Sequence, residues 1–208
     1  MKKILIYLSS DGWKNTIALI RKSILKKICY HITTSFYMWE KKNETFENNQ
    51  EIRNLSVKEL TLDEIESIDF PRLKLLNYKE WLKDGSHVYV SFLNGKPVGF
   101  AWTHSKSYHI HGLGTFKLYE NEYWSGPTFV LNSLRGRGIN RTQKIFQLNH
   151  LPKNSSIFTS INENNIPSIR SNVRYGFKPI GFHKTNVLFG KSNNLIEGDV
   201  LKERLILS

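Results

Sequence analysis

The chain holds a single cysteine, Cys29, in 208 residues. One thiol excludes an internal disulfide and a cysteine-built metal cluster, so Cys29 reads as a packed thiol rather than a nucleophile. Long apolar runs are missing: none approaches the ~20 residues that a membrane-spanning helix needs. The opening Met1-Lys2-Lys3-Ile4-Leu5-Ile6-Tyr7-Leu8 imitates a secretion signal, but Asp11 and Lys14 follow quickly and no Ala-x-Ala-like cleavage site is present. A cytoplasmic protein is the expectation. Acidic residues are scarce beside basic ones, 18 against 30, and the net charge of +12 suits a polyanionic partner. There is no helix-turn-helix, zinc or RNA-recognition pattern. We therefore expect a small ligand carrying several phosphates rather than nucleic acid. Internal repeats and long low-complexity tracts are also absent, which excludes a solenoid. With 39% hydrophobic and 12% aromatic residues the composition is not a disordered one. The length allows one substantial core, or one domain with an extension.

Near the start, Ile17, Ile20, Ile24, Leu25 and Ile28 recur at helical spacing within residues 14–30, with Arg21, Lys22, Lys26 and Lys27 between them. This is a basic amphipathic helix, which packs on its own domain or lies on an anionic membrane surface. The run Ile32-Thr33-Thr34-Ser35-Phe36-Tyr37-Met38-Trp39 reads as a strand. A polar loop over residues 42–50 follows and is taken as a linker. Residues 1–45 then form an N-terminal extension, residues 46–190 the main domain and residues 191–208 a C-terminal tail.

In the main domain a first strand is expected over residues 52–60, a helix start at residues 62–66, and a second helical stretch over residues 72–83 with Leu73, Leu76, Trp81 and Leu82 on its apolar side. The clearest local signal is a hairpin. Residues 87–93 and 96–102 flank Asn94-Gly95, whose residues readily take the positive φ of a tight turn. Val88, Val90 and Phe92 share one face, and Val98, Phe100 and Trp102 share one on the second strand. Gly99 leaves a gap where another group can come close. His104, His109 and His111 follow. Two of them could ligate a metal from one strand face, but no cysteine or nearby carboxylate supports that, and a loop or strand surface is the preferred reading.

Residues 116–124 are rich in aromatics and carry Glu120 and Glu122. Pro127 cannot donate to a ladder, which suggests a bulge or strand edge. The β-prone run Thr128-Phe129-Val130-Leu131 then enters Leu134-Arg135-Gly136-Arg137-Gly138-Ile139-Asn140-Arg141, and residues 139–149 have helical spacing. A strand, a glycine turn and a helix in that order aim free N–H groups and the positive end of a helix dipole at one spot. Two glycines let a ligand approach the backbone, and three arginines add charge. A phosphate-binding turn is the reading; the alternative is a basic surface turn. Downstream, residues 157–161 form a strand, Asn165 caps a helix over residues 167–175, Gly176 ends it, and residues 177–182 begin another strand. A parallel pair joined by a crossover helix is the simplest layout.

These motifs together resemble the GNAT superfamily, the acyl-CoA-dependent N-acyltransferases. The family's Gln/Arg-x-x-Gly-x-Gly/Ala after a strand corresponds to Arg135-Gly136-Arg137-Gly138-Ile139-Asn140. Its Asn-x-x-Ser followed by Gly-Phe corresponds to Asn165-Ile166-Pro167-Ser168 with Gly176-Phe177. The hairpin ending in Pro97-Val98-Gly99-Phe100 matches its second and third strands, and the resemblance covers residues 52–190. It implies an α/β (α+β) fold: a mixed, mostly antiparallel central sheet with a splayed parallel strand pair, flanked by helices. It also implies acetyl-CoA as co-substrate, no metal, and an amine acceptor. The backbone of Arg135, Gly136, Arg137, Gly138, Ile139, Asn140 and Arg141 would hold the pyrophosphate. The strand Phe129, Val130 and Leu131 would pair with pantetheine, and Asn165 and Ser168 would bond the cofactor arm.

Two departures stand out. Asn140 occupies the motif's last Gly/Ala position, and Asn172 occupies the position of the family's frequent tyrosine acid. Tyr175 is the nearest tyrosine, and Glu120 and Glu122 are the candidate bases. On an unbroken strand both glutamates, or neither, would face the cleft. They could equally be solvated strand carboxylates. The resemblance implies transfer of an acetyl group to a primary amine of a small or sugar-linked acceptor by direct attack in a ternary complex. The alternatives are a protein N-acetyltransferase or a CoA-binding module without chemistry.

Overall fold

The computed structural model describes residues 29–41, 45–47, 52–188 and 191–207. The amphipathic helix expected over residues 14–30 lies outside them, except that Cys29 and Tyr30 belong to a strand. The strands are β1 (Cys29–Glu40), β2 (Leu55–Glu59), β3 (His87–Leu93), β4 (Lys96–His104), β5 (Ser107–Ile110), β6 (Gly114–Lys117), β7 (Glu122–Val130), β8 (Ser156–Asn162), β9 (Lys178–Leu188), β10 (Lys191–Glu197) and β11 (Leu205–Leu207). The helices are α1 (Leu62–Ser67), α2 (Pro71–Lys74), α3 (Tyr78–Lys83), α4 (Ile139–His150), α5 (Ile166–Arg174) and α6 (Asp199–Arg204).

Eight strands form one sheet in the order β10-β9-β1-β8-β7-β4-β3-β2, and β11-β6-β5 form a second. In the large sheet β7 and β8 are parallel and every other neighbouring pair is antiparallel. This is the mixed, mostly antiparallel sheet with one parallel pair that the motifs implied. The hairpin is where the sequence puts it: Asn94 has φ 50° and Gly95 φ 74°, as a two-residue turn matched to strand twist requires.

Strand β1 sits in the middle of the sheet. It pairs with β8 from Thr34↔Asn162 to Glu40↔Ser156, and with β9 along its other edge. Its side chains alternate between faces. Phe36 is buried with Phe116, Trp124 and Phe158 on one side. Tyr37 and Trp39 are buried with Leu148, Ile157 and Phe177 on the other. The segment expected as an extension therefore supplies a central strand. The expected tail likewise carries β10, α6 and β11, which pair with β9 and β6 or pack beside them.

The expected helix over residues 72–83 is two short helices, α2 and α3. The break falls at Asn77, whose backbone (φ −79°, ψ 44°) lies outside the helical region. Splitting the segment lets both Leu73 and Trp81 pack on Val88, Phe100 and Trp102 of the hairpin. Helix α1 begins with a capping box in which Thr61 and Glu64 satisfy each other's backbone N–H. Helices α4 and α5 cover the opposite face. Leu148 and Ile145 of α4 meet Ile157 and Tyr37 there. Gly99 admits this layer: a Cβ on it would lie 2.7 Å from the Phe129 carbonyl oxygen and 2.9 Å from Gln143 Nε2. The gap anticipated at Gly99 is filled by the backbone of β7 and the side chain of α4.

Candidate functional site

Strands β7 and β8 pair only over Glu122–Trp124 and Ser156–Phe158, then diverge. On the other side of β7 the register with β4 shifts between Ala101 and Thr103, so that Gly126 and Pro127 together face Trp102. This is the bulge anticipated at Pro127, and the Gly126-Pro127 bond is cis. Past Trp124, β7 therefore presents an unpaired strand edge toward the gap. His104 anchors the bulge. Its Nε2–H donates to the Gly126 carbonyl at 2.9 Å and its Nδ1 accepts the Ser86 hydroxyl at 2.9 Å, which fixes a neutral tautomer. Burial lowers its pKa to about 4, so it stays neutral. His104 was expected on a loop or strand surface; it is instead enclosed by Trp81, Trp102 and Tyr108. His109 lies on β5 and His111 in the turn after it.

Beyond β7 the chain makes a short turn at Asn132–Leu134 and reaches α4 through Gly136 (φ 78°) and Gly138 (φ 85°). Gly138 is the residue before the first helical turn, in the left-handed region that favours glycine. The first turn of α4 lacks intrahelical acceptors for its N–H groups and carries the positive end of the dipole. Arg135 Nε donates to the Val130 carbonyl at 3.2 Å, tying the turn to the end of β7.

The gap between the strands and this turn form one cavity of about 650 Å³. It brings together Phe129, Val130, Arg135, Gly136, Gly138, Ile139, Asn140, Arg141, Asn165 and Ser168. Leu131 and Arg137, expected with them, are not in its lining. Leu131 turns into the cores on either side, and Arg137 faces solvent. Asn165 is committed in part to its own helix, its Oδ1 accepting the Ser168 N–H at 3.4 Å. Asn172 also lines the cavity. Its Nδ2 donates to the Ser168 carbonyl, while its Oδ1 is buried with no partner among the described residues. A buried orphan acceptor in a cavity wall is an open seat for a ligand N–H.

Solved structures share this architecture. A GCN5-related N-acetyltransferase from Sphaerobacter thermophilus matches with a TM-score of 0.52 and 13% identity, over 91% of this chain and 59% of its own. A tandem GNAT protein from the clavulanic acid biosynthesis pathway matches with a TM-score of 0.51 and 14% identity, over 81% of this chain and 57% of its own. The fold is that of the GNAT superfamily. A conserved protein of unknown function from Staphylococcus epidermidis shares it too, with a TM-score of 0.50 and 12% identity over 80% of this chain and 64% of its own. The match thus spans less than two thirds of the length of each of these three structures. No family model matches the sequence, and no curated protein does.

Within this GNAT fold the expected catalytic residues stand away from the cavity. Glu120 is exposed in the turn before β7. Glu122 opens β7, accepts the Tyr119 N–H at 2.9 Å and forms an ion pair with Arg204 of α6. The two glutamates do not share a strand face, because β7 begins only at Glu122. The aromatic stretch around them does not wall the site either. Trp124 is buried among Phe36, Phe116 and Phe158, and the Tyr119 ring lies against the Arg204 guanidinium. Tyr175 packs edge-on to Phe46, and burial raises its hydroxyl pKa. It borders a smaller recess of about 250 Å³ beside Arg141, Arg170 and Arg174.

The structure adds a residue that sequence reasoning passed over. Lys144, on the second turn of α4, is 6% exposed and lines the cavity. Its Nζ donates to Ser125 Oγ at 2.8 Å and lies 5.3 Å from the centre of the Phe177 ring. Ser125 in turn donates to Gln147 Oε1, and Gln147 Nε2 donates to the Trp102 carbonyl and Thr103 Oγ1. Thr159 Oγ1 donates to the Ser125 carbonyl at 2.9 Å, bridging β8 to β7 just past their last pair. Burial lowers the Lys144 pKa from 10.5 to about 8, with no carboxylate to counter it. The charged residues in the cavity wall are Arg135, Arg141 and Lys144, so its field is positive throughout.

Proposed function

We propose that this chain transfers an acyl group, acetyl in the first instance, from acyl-CoA to a primary amine. The observation that carries the reading is the continuity of one positive cavity from a glycine turn at a helix start to an opened parallel strand pair. The turn and the first N–H groups of α4 suit a pyrophosphate. The freed edge of β7 suits the amide groups of pantetheine, which can pair with it as an added strand would. The unpartnered Asn172 Oδ1 suits a further amide N–H of the same arm. The donor thioester then lies where β7 and β8 part.

The chemistry asks for little more. A neutral amine attacks the carbonyl carbon, a strand N–H steadies the oxyanion, and the thiolate leaves. Holding the two reactants together supplies much of the rate. The fold shared with a structure described as a GCN5-related N-acetyltransferase agrees with this reading. A thermal-shift titration with CoA and acetyl-CoA tests the donor. A panel of amino sugars, small amines and peptide amines, read by release of free thiol, tests the transfer. Absence of any CoA-dependent stabilisation would sink the proposal.

A second reading has one specific observation behind it. No carboxylate or tyrosine among the described residues lines the cavity. A module that binds CoA without chemistry fits that wall, and it predicts stabilisation by CoA with no thiol release from any amine on the panel.

A further inference from the structure

The acyl-CoA reading leaves one chemical need unmet. When the carbon–sulfur bond breaks, sulfur carries off the electron pair and needs a proton or a positive charge beside it. The position where the family resemblance places a tyrosine holds Asn172, which has no acidic proton to give. Among the residues lining the cavity, the arginines hold their protons too tightly, and the serine and threonine hydroxyls are too weakly acidic.

One side chain remains, and it stands at the right end. The last paired residues of β7 and β8 are Trp124 and Phe158, and Ser125 and Thr159 are the first beyond them. Lys144 Nζ is hydrogen-bonded to Ser125 there, at the closed apex of the gap and away from the glycine turn. Ser125 gives its own proton to Gln147, so it can only accept from the lysine. The amine is thereby held by one hydrogen bond and by the Phe177 ring, on a residue that lines the cavity.

We propose that Lys144 is the acid that protonates the leaving thiolate, an inference that rests on the acyl-CoA reading above. The acceptor nitrogen bonds to the acyl carbon, the carbon–sulfur bond breaks, and sulfur takes one proton from Nζ. The products are an amide, a CoA thiol and a neutral lysine. The proton shed by the acceptor nitrogen returns the lysine to its charged form through solvent. The match in acidity favours the transfer: burial brings the lysine to about 8, and a thiol ionises near ~8.5.

The test needs no acceptor. The full chain is saturated with CoA, and the ultraviolet absorbance of the thiolate is followed against pH. In the wild type the thiolate absorbance is expected to rise in two steps, a partial one below the ionisation of free CoA and the rest above it, because the first proton lost by the thiol–ammonium pair comes from either group. Lys144→Met should show one step, at the pH where free CoA ionises, while still binding CoA. Lys144→Arg should show one full step below free CoA, since the charge stays and shares no proton, and should lose about 10²-fold or more in thiol-release turnover. A wild-type thiol that titrates as free CoA does overturns the proposal without recourse to any variant, and so does an identical titration in wild type and Lys144→Met. Failure to bind CoA at all is a separate result, seen before any titration, and it overturns the acyl-CoA reading together with the role of Lys144.

Discussion

Replacing Lys144 with methionine should make the protein more stable, and the gain should depend on pH in a defined way. The lysine is buried, and its pKa falls from 10.5 in the unfolded chain to about 8 in the fold. Above about pH 10.5 both states are neutral at this site and burial carries no charge penalty. As pH falls through that window, the unfolded chain takes the proton first and gains stability relative to the fold. Below about pH 8 both states are charged and the penalty is complete. At about 1.4 kcal/mol per pH unit, the penalty is roughly 3 kcal/mol. Methionine has a similar length and removes it, while losing the hydrogen bond to Ser125, worth about 1 kcal/mol. The net gain at pH 7 is about 2 kcal/mol, or some 4–8 °C in Tm for a chain of this size. Urea unfolding of both proteins at pH 7 and pH 10 reads it directly. The advantage of the variant should shrink at the higher pH. A variant that is less stable at pH 7, or a difference independent of pH, would refute the argument that an unpaired ammonium is buried there. A costly residue that can be removed with a gain in stability is what a working site contains.

Three further outcomes are expected. Gly99→Ala places a Cβ 2.7 Å from the Phe129 carbonyl oxygen and should cost about 1–3 kcal/mol by thermal unfolding. Because it pushes on the β7 edge, CoA affinity measured by calorimetry should fall as well. Glu122→Gln leaves Arg204 without its carboxylate in a mostly buried setting and should cost about 2 kcal/mol or more by chemical denaturation. Its thiol-release rate at a temperature where it stays folded should match the wild type; a loss of several orders of magnitude would reinstate Glu122 as a base. The His104 imidazole is kept neutral with its pKa near 4, against about 6.5 when unfolded. The unfolded chain takes up that proton first as pH falls, so stability should drop between about pH 6.5 and 4. His104→Gln should lack that component when urea midpoints at pH 7 and 4.5 are compared.

Features set by neighbouring residues were legible in the sequence. The Asn94-Gly95 turn, the glycines at 136 and 138, the Asn165 cap and the bulge at Pro127 all depend on local backbone chemistry, and each is present. Features set by distant partners were not legible. Nothing near Phe36 says that its strand enters between β8 and β9, whose residues lie more than a hundred positions away. Glu122 reads as a free carboxylate until α6 brings Arg204 beside it. Lys144 follows Gln143 and Thr142 and resembles the solvent face of a helix. Yet Gln143 and Gln147 are fully buried as well, because this side of α4 meets Gly99 and Thr103 of the sheet. The cavity was therefore foreseen at its glycine turn, where sequence-local rules apply, and missed at Lys144, where packing decides.

The position of β1 has a consequence for how the chain is made. Its pairing residues Thr34–Glu40 leave the ribosome early, while their partners in β8 come far later and those in β9 later still. At ~5–20 residues per second, the wait is on the order of ten seconds. During that time Phe36, Tyr37 and Trp39 have no β8 or β9 against which to pack. Strand β8 in turn has only three residues paired with β7, so it takes its place through β1. The wall of the cavity is thus completed by joining an earlier part of the chain to a later one. This is a slow, non-local closure, and the aromatic side chains of β1 stay without their strand partners until it is made.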